Sequence, residues 1–319
     1  MAEAVLEVAV VVVEGALVKQ DVFVSDENNN YRIPTIISNK KRILAFCERR
    51  TSKKCDKGVI DIVLRIRENN VWSDLIKIVG DGKNTFRNPC PVLFKKNFYL
   101  FFCKNKKQVF FTKSKNGMDW SKPIKIKTLP ECEWFWTGPG HGIVFDDKIV
   151  IPCHFREKGF FKKSRATILF GVDTSWRLGD VLKMRSDESC VVEVNGELYL
   201  NSRCSSNHLS FKRKRVFAFG NCKTWRREGY SNLRDPVCQG SLINFKDSFL
   251  FCNPNSFFRR NLTIHKSSDC VSWRVLKVLN KGWSGYSDMA VSGDTVFCLF
   301  ENGVNDYREK ISLTNFELQ

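Results

Sequence analysis

Apolar residues in this chain come in short runs rather than at helical spacing. The runs include Arg42-Ile43-Leu44-Ala45-Phe46-Cys47, Phe98-Tyr99-Leu100-Phe101-Phe102, Lys148-Ile149-Val150-Ile151-Pro152, Glu197-Leu198-Tyr199-Leu200 and Ser248-Phe249-Leu250-Phe251-Cys252. Each is rich in β-branched or aromatic residues and bounded by polar turn residues, the pattern of a strand. No long stretch keeps a convincing helical period. The pattern therefore predicts an all-β protein.

A longer period overlies the strands. Trp72, Trp120, Trp176, Trp225 and Trp273 are separated by 48, 56, 49 and 48 residues. A repeat near fifty residues made of short strands predicts a six-bladed β-propeller of four-stranded antiparallel blades. Five Trp repeats leave room for a sixth blade, closed by pairing strands from both termini, which removes exposed edges. One domain over residues 1–319 is expected.

Composition narrows the options. The net charge of +18 attracts polyanions. The densest basic run, Lys212-Arg213-Lys214-Arg215, has no nucleic-acid motif beside it and reads as a solvated strand edge or loop; no nucleic-acid partner is expected. The 13 cysteines include no Cys-x-x-Cys pair, and the four histidines do not join them at zinc spacing. Neither metal nor cofactor is expected. Cysteines inside apolar runs read as buried reduced thiols and point to a reducing compartment. The N-terminal valine run is short, interrupted by Glu7 and Glu14, and lacks a basic flank. Neither a signal peptide nor a membrane span is expected. A cytoplasmic location follows as an expectation, with peripheral membrane contact left open.

Candidate chemistry begins at Tyr31-Arg32-Ile33-Pro34. An arginine at a strand start, stiffened by a following proline, presents a rigid fork to a planar anion. Further segments follow in order: Glu48-Arg49-Arg50 with Asp56-Lys57-Gly58, Asn88-Pro89-Cys90-Pro91, Thr137-Gly138-Pro139-Gly140-His141-Gly142, and Asp187-Glu188-Ser189 with Ser202-Arg203. Gln239-Gly240-Ser241, Arg259-Arg260-Asn261 and Gly285-Tyr286-Ser287-Asp288 complete the series. In this order the segments resemble the sialidases over almost the whole chain. The turns before Trp120, Trp225 and Trp273 resemble the family's Asp-box, with Gly117 kept and Cys222 and Cys270 standing where the glycine would be.

The resemblance implies an exo-α-sialidase acting on sialylated glycans: glycoproteins, gangliosides or oligosaccharides. It implies Arg32, Arg203 and Arg259 as a clamp on the sugar carboxylate, with Arg260 as the adjacent competitor for the third place. Arg50 is implied as a further substrate contact. Tyr286 is implied as the nucleophile, Glu188 as its base and Asp56 as the general acid. Sialidases are the glycosidases that use tyrosine in place of a carboxylate nucleophile. A phenol of pKa about 10 needs such a base, and unlike a carboxylate it is not repelled by the substrate's own charge. Glu48, Asp61, Glu193 and Glu301 read as supporting residues. One departure is Cys190, where the family carries Gln. Another is the basic setting of Asp56 among Lys53, Lys54 and Lys57, expected to lower its pKa and move the pH optimum down. The same scaffold also fits a trans-sialidase or intramolecular sialidase, for which Trp134, Trp136 and Trp283 are candidate acceptor residues. A third reading is a sialic-acid-binding lectin without turnover, against which the intact Tyr286, Glu188 and Asp56 argue.

Overall fold

A computed structural model describes residues 18–51, 58–159, 162–204 and 214–318. Among them the ordered elements are strands, paired antiparallel within five sheets. The first sheet runs Asn30–Ser38, Arg42–Arg50, Ile60–Glu68 and Val71–Trp72, with Ile76–Val79 also on Ile60–Glu68. The second runs Phe86–Phe94, Asn97–Lys104, Gln108–Ser114 and Ile124–Ile126. In the third, Trp134–Thr137 and Ile143–Phe145 share Lys148–Arg156, followed by Ser164–Val172 and Ser175–Leu178. The fourth runs Ser189–Val194, Glu197–Ser202, Lys214–Gly220 and Trp225–Arg234. Sequential meanders of this kind need only short turns between neighbours.

The last sheet has seven strands because one of them, Arg274–Ser292, is 19 residues long. Its first half pairs with Arg260–Ser267 and its second half with Thr295–Gly303. The two halves thus lie in different four-strand meanders. One meander joins Ser241–Phe245, Ser248–Pro254 and Arg260–Ser267 to the first half. The other joins the second half to Thr295–Gly303, Lys310–Glu317 and Lys19–Val24. The amino-terminal strand Lys19–Val24 pairs with the carboxy-terminal Lys310–Glu317, as expected for edge closure.

Apolar clusters fill the spaces between successive sheets, and they close a ring. Leu44, Phe46 and Leu64 meet Phe98, Leu100 and Phe102. Phe101 and Phe111 meet Phe135 and Ile151. Ile168 meets Leu198 and Leu200, and Tyr199 meets Leu242 and Phe251. Leu250 and Ile264 meet Cys298 and Phe300. Ala290, Leu299 and Leu313 return to Ile36 and Ala45 of the first sheet. Strand faces buried on both sides explain why the sequence reads as near-continuous apolar runs rather than strict alternation.

The outer turns repeat at the hydrogen-bond level. Asn116 Oδ1 accepts from the Met118 and Asp119 N–H groups, Asn221 Oδ1 from Lys223 and Thr224, and Asp269 Oδ1 from Val271 and Ser272. The indole N–H of Trp120, Trp176 and Trp273 donates to the carbonyl three residues earlier. Those earlier residues are Gly117, Asp173 and Cys270, with φ of 78°, 53° and 59°. Cys270 therefore takes the left-handed conformation although it lacks glycine's freedom. Trp225 differs, donating instead to the Asp180 carbonyl.

Two sequence readings bear on packing. The cysteines described are buried, apart from the half-buried Cys222. The basic run is not wholly solvated. Lys214 is exposed, but Arg215 is fully buried, donating to the Cys238 carbonyl at 2.8 Å and to Asn201 Oδ1. Strand alternation turns Arg215 inward, where those acceptors take its Nη1 and Nε, while Nη2 has no hydrogen-bond partner among the described residues. Lys212 and Arg213 lie outside the described residues.

Candidate active site

The inner ends of several sheets bring buried charged groups to one place around Tyr286. Each is set there by a local break in strand regularity. The register of Asn30–Ser38 slips between Arg32 and Thr35, and Ile33 there has φ of 61°. A β-branched residue in the left-handed region is a strained outlier, kept only where the surroundings over-determine it. Glu301 supplies that determination. Its Oε1 accepts from the Ile33 N–H at 2.9 Å and from Arg32 Nε at 2.6 Å. Its Oε2 accepts from Arg32 Nη2 at 3.3 Å and from the Tyr286 N–H at 3.1 Å. One fully buried carboxylate thus fixes both Arg32 and Tyr286. Gly285 permits this approach, because a Cβ there would collide with the Glu301 carboxylate and the Tyr307 ring.

The same device recurs in the next sheet. Asn88 stands at a bulge before Pro89 with φ of 52°, and its N–H donates to Glu48 Oε1 at 2.8 Å. Glu48 Oε2 in turn accepts from Arg50 Nε at 2.8 Å and Nη2 at 2.5 Å. Arg50 is thereby held as Arg32 is. Asp61 pairs with Arg49 at 2.5 Å.

Tyr286 is nearly buried and donates its hydroxyl to Glu188 Oε1 at 2.5 Å. Arg203 Nη1 reaches the same hydroxyl at 3.3 Å and Glu188 Oε2 at 2.8 Å, while its Nη2 donates to Asp187 Oδ2 at 2.9 Å. The guanidinium carbons of Arg32 and Arg259 lie 5.7 and 5.3 Å from the Tyr286 ring centroid, within cation–π range. Arg259 also donates to the Tyr307 hydroxyl at 3.1 Å and the Val237 carbonyl at 2.8 Å. Arg260 points elsewhere, over the Trp283 ring at 4.2 Å. Arg259 is therefore the one of the adjacent pair that joins the cluster.

These charges shape one another. Burial pushes the Glu188 carboxyl up; Arg203 opposes the rise and the neighbouring Asp187 adds to it. Burial also tends to raise Asp187, but Arg203 overcomes it and leaves Asp187 below the ordinary range. Burial and Glu188 push the Tyr286 phenol well up, against the pull of Arg203 and Arg259. His154 packs beside Asp187 at 3.3 Å, and burial holds it down to about 4, hence neutral. Arg32 and Arg203 have carboxylate partners, whereas Arg259 makes its described hydrogen bonds to neutral groups. The cluster thus keeps a cation poised for an added anion.

Deeper on the axis, Asp288 ties the sheets together. It accepts from the Ile36 N–H at 3.0 Å, from Ser241 Oγ at 2.8 Å and from His141 Nδ1 at 2.8 Å. Gln239 Oε1 accepts from the Ser287 N–H at 3.1 Å. This accounts for the segments around His141, Gln239 and Asp288 as the frame beneath Tyr286.

The BNR repeat-like domain family matches this chain over residues 41–298. The chain belongs to that family. An exo-alpha-sialidase of Arthroderma benhamiae is 28% identical over 83% of this chain and 76% of its own length. Sialidase-3 of Mus musculus is 26% identical over 90% of each chain. Among solved structures, the Hadza microbial sialidase Hz136 superposes with a TM-score of 0.80 at 24% identity, over 91% of this chain and 66% of that one. At that identity the likeness speaks for the fold, and the chain spans just under two thirds of the solved protein. The sialidase resemblance read from the ordered motifs holds at the level of the family.

Within this family fold, the residues singled out from sequence divide into groups. Arg32, Glu188, Arg203, Arg259, Tyr286 and Glu301 come together. Arg50 and Glu48 form a second buried pair on Arg42–Arg50, the strand beside that of Arg32 in the first sheet. Glu193 does not join them: it is exposed and lines a separate cavity of about 300 Å³ with His141 and Asn244. Asp56, with Lys53, Lys54 and Lys57, lies outside the described residues. Trp134 and Trp136 stack at 4.6 Å, with the Arg87 guanidinium 5.9 Å from the Trp136 ring. Sequence reasoning passed over Asp187, although it adjoins Glu188 in a matched segment. It also missed Tyr307, which sits in a polar turn with no motif to mark it.

Proposed function

We propose that the protein is a retaining exo-α-sialidase built as one six-bladed β-propeller of four-stranded antiparallel blades. The paired halves of Arg274–Ser292 and the closed ring of apolar clusters support the blade number. The observation that carries the activity is the Tyr286 hydroxyl donating to a buried Glu188 among Arg32, Arg203 and Arg259.

Arg32, Arg203 and Arg259 receive the sugar carboxylate, with Arg259, bonded to neutral groups, supplying the net attraction. Tyr286 attacks the anomeric carbon as its proton passes to Glu188. The elevated basicity of Glu188 narrows the gap to the phenol and eases that transfer. Asp56 protonates the leaving oxygen, then deprotonates the water that releases the sugar from Tyr286. Two inversions return the starting configuration. Substrates are terminal α-linked sialic acids on glycoproteins, glycolipids or oligosaccharides.

A fluorogenic α-sialoside, offered to the wild type, Tyr286→Phe and Asp56→Asn, tests the assignment. Turnover is expected from the wild type, with both variants reduced by orders of magnitude. A wild type that binds the sialoside without cleaving it makes the protein a lectin. Product analysis with a sugar acceptor present separates hydrolysis from transfer.

A further inference from the structure

Two of the clustered arginines share a support that lies outside every matched motif. Asp235 is almost fully buried. Its Oδ2 accepts from the Cys204 N–H at 3.0 Å, the residue directly after Arg203. Its Oδ1 accepts from the Cys238 N–H at 3.2 Å. The residue before Cys238 is Val237, whose φ is 58° and whose carbonyl takes the hydrogen bond from Arg259 Nη2. Behind Asp235 stands buried Arg215, 3.8 Å from Oδ1, donating to the Cys238 carbonyl and lying 5.0 Å over the Phe251 ring. One carboxylate therefore grips the backbone beside Arg203 and the backbone that holds Arg259.

We propose that Asp235, backed by Arg215, is a positioning residue that sets the spacing of Arg203 and Arg259 and so the fit of the site to a carboxylate. The inference rests on the sialidase reading. Without both acceptor oxygens, one of the two N–H groups is left facing a donor, and the strained Val237 turn is free to relax.

The test is a double-mutant cycle on the full chain, using Asp235→Asn and Arg259→Lys, with a competitive sialic-acid analogue as the binding probe. Asp235→Asn is expected to weaken the analogue and to lower kcat/KM by about tenfold. In the Arg259→Lys background the same change is expected to cost about threefold or less, because its effect runs partly through Arg259. Melting is recorded separately, so that binding is compared only on folded protein. If Asp235→Asn does not fold, Val237→Gly enters the same cycle, since it loosens the same carbonyl without touching the buried pair. Wild-type binding by the folded variant, or losses that simply add, overturns the inference while leaving the sialidase reading intact. A wild type that neither binds nor cleaves sialosides overturns that reading itself.

Discussion

Arg32→Ala tests the frame of the site most directly. The substitution removes a guanidinium whose Nε and Nη2 reach Glu301 at 2.6 and 3.3 Å. Glu301 stays fully buried, retaining only the N–H donors of Ile33 and Tyr286. Removing one partner of a buried ion pair costs about 3–5 kcal/mol. The two surviving N–H bonds place this case near the lower end, about 3 kcal/mol. For a chain of 319 residues that lowers Tm by about 4–5 °C. Affinity for a sialoside carboxylate falls about 100-fold or more, because a bidentate charged pair is lost. Adding Glu301→Gln withdraws the orphaned charge but leaves one of the Ile33 and Tyr286 N–H groups facing an amide donor, so the net recovery of stability is expected to be only about 1 kcal/mol. Binding does not recover with it. Thermal melts and analogue titrations on the wild type, the single variant and the double variant read both quantities. A single variant that melts with the wild type, or a double variant no more stable than the single, refutes the account of Glu301. Affinity restored in the double variant refutes Arg32 as a clamp.

Other expectations follow from the same geometry. Glu188 must be ionised to accept the phenol proton, so its raised pKa places the acid limb of kcat/KM above the ordinary Glu value of about 4.3. Asp187→Asn removes a charge that raises Glu188, so the limb should move to lower pH; a limb that stays or rises contradicts the coupling. His141 is raised because Asp288 outweighs the opposing effect of burial. Its contribution to stability is therefore full below about pH 6.5 and lost as pH rises through the folded value. The Tm gap between wild type and His141→Asn should accordingly shrink on going alkaline, and a gap that stays constant from about pH 5 to 9 speaks against the pair. Asp269→Ala removes the acceptor of two turn N–H groups and should cost about 1–2 kcal/mol in chemical denaturation. KM should remain that of the wild type, and a raised KM would show that the outer turn reaches the site.

Local chemistry makes much of this protein legible in its sequence. Short β-branched and aromatic runs specify strands because extended backbone and a pleated surface favour those side chains. The Trp spacing specifies repeated units because three of the five indoles close the turn beneath them, Trp120, Trp176 and Trp273, while Trp72 and Trp225 donate to Gln20 and Asp180. Motif order pointed to Arg32, Arg203, Glu188 and Tyr286 as residues of one site, and the fold brings them together. Convergence from distant positions is invisible to local pattern. Spacing to Asn261 favours Arg259 over Arg260, and the fold separates them by direction: Arg259, just before the strand, turns to Tyr286, while Arg260, its first residue, lies over Trp283. Arg215 sits in a basic run that looks solvated, yet strand alternation turns it into the interior beside acceptors from other segments. Asp187, Tyr307 and Asp235 act through hydrogen bonds to groups distant in sequence or to strained turns beside them. Sequence determined the strands, the repeat and the chemical types at the centre. Tertiary structure alone decided which charges face one another once water is excluded, because burial and opposing partners, unlike strand propensity, exist only after the sheets have closed.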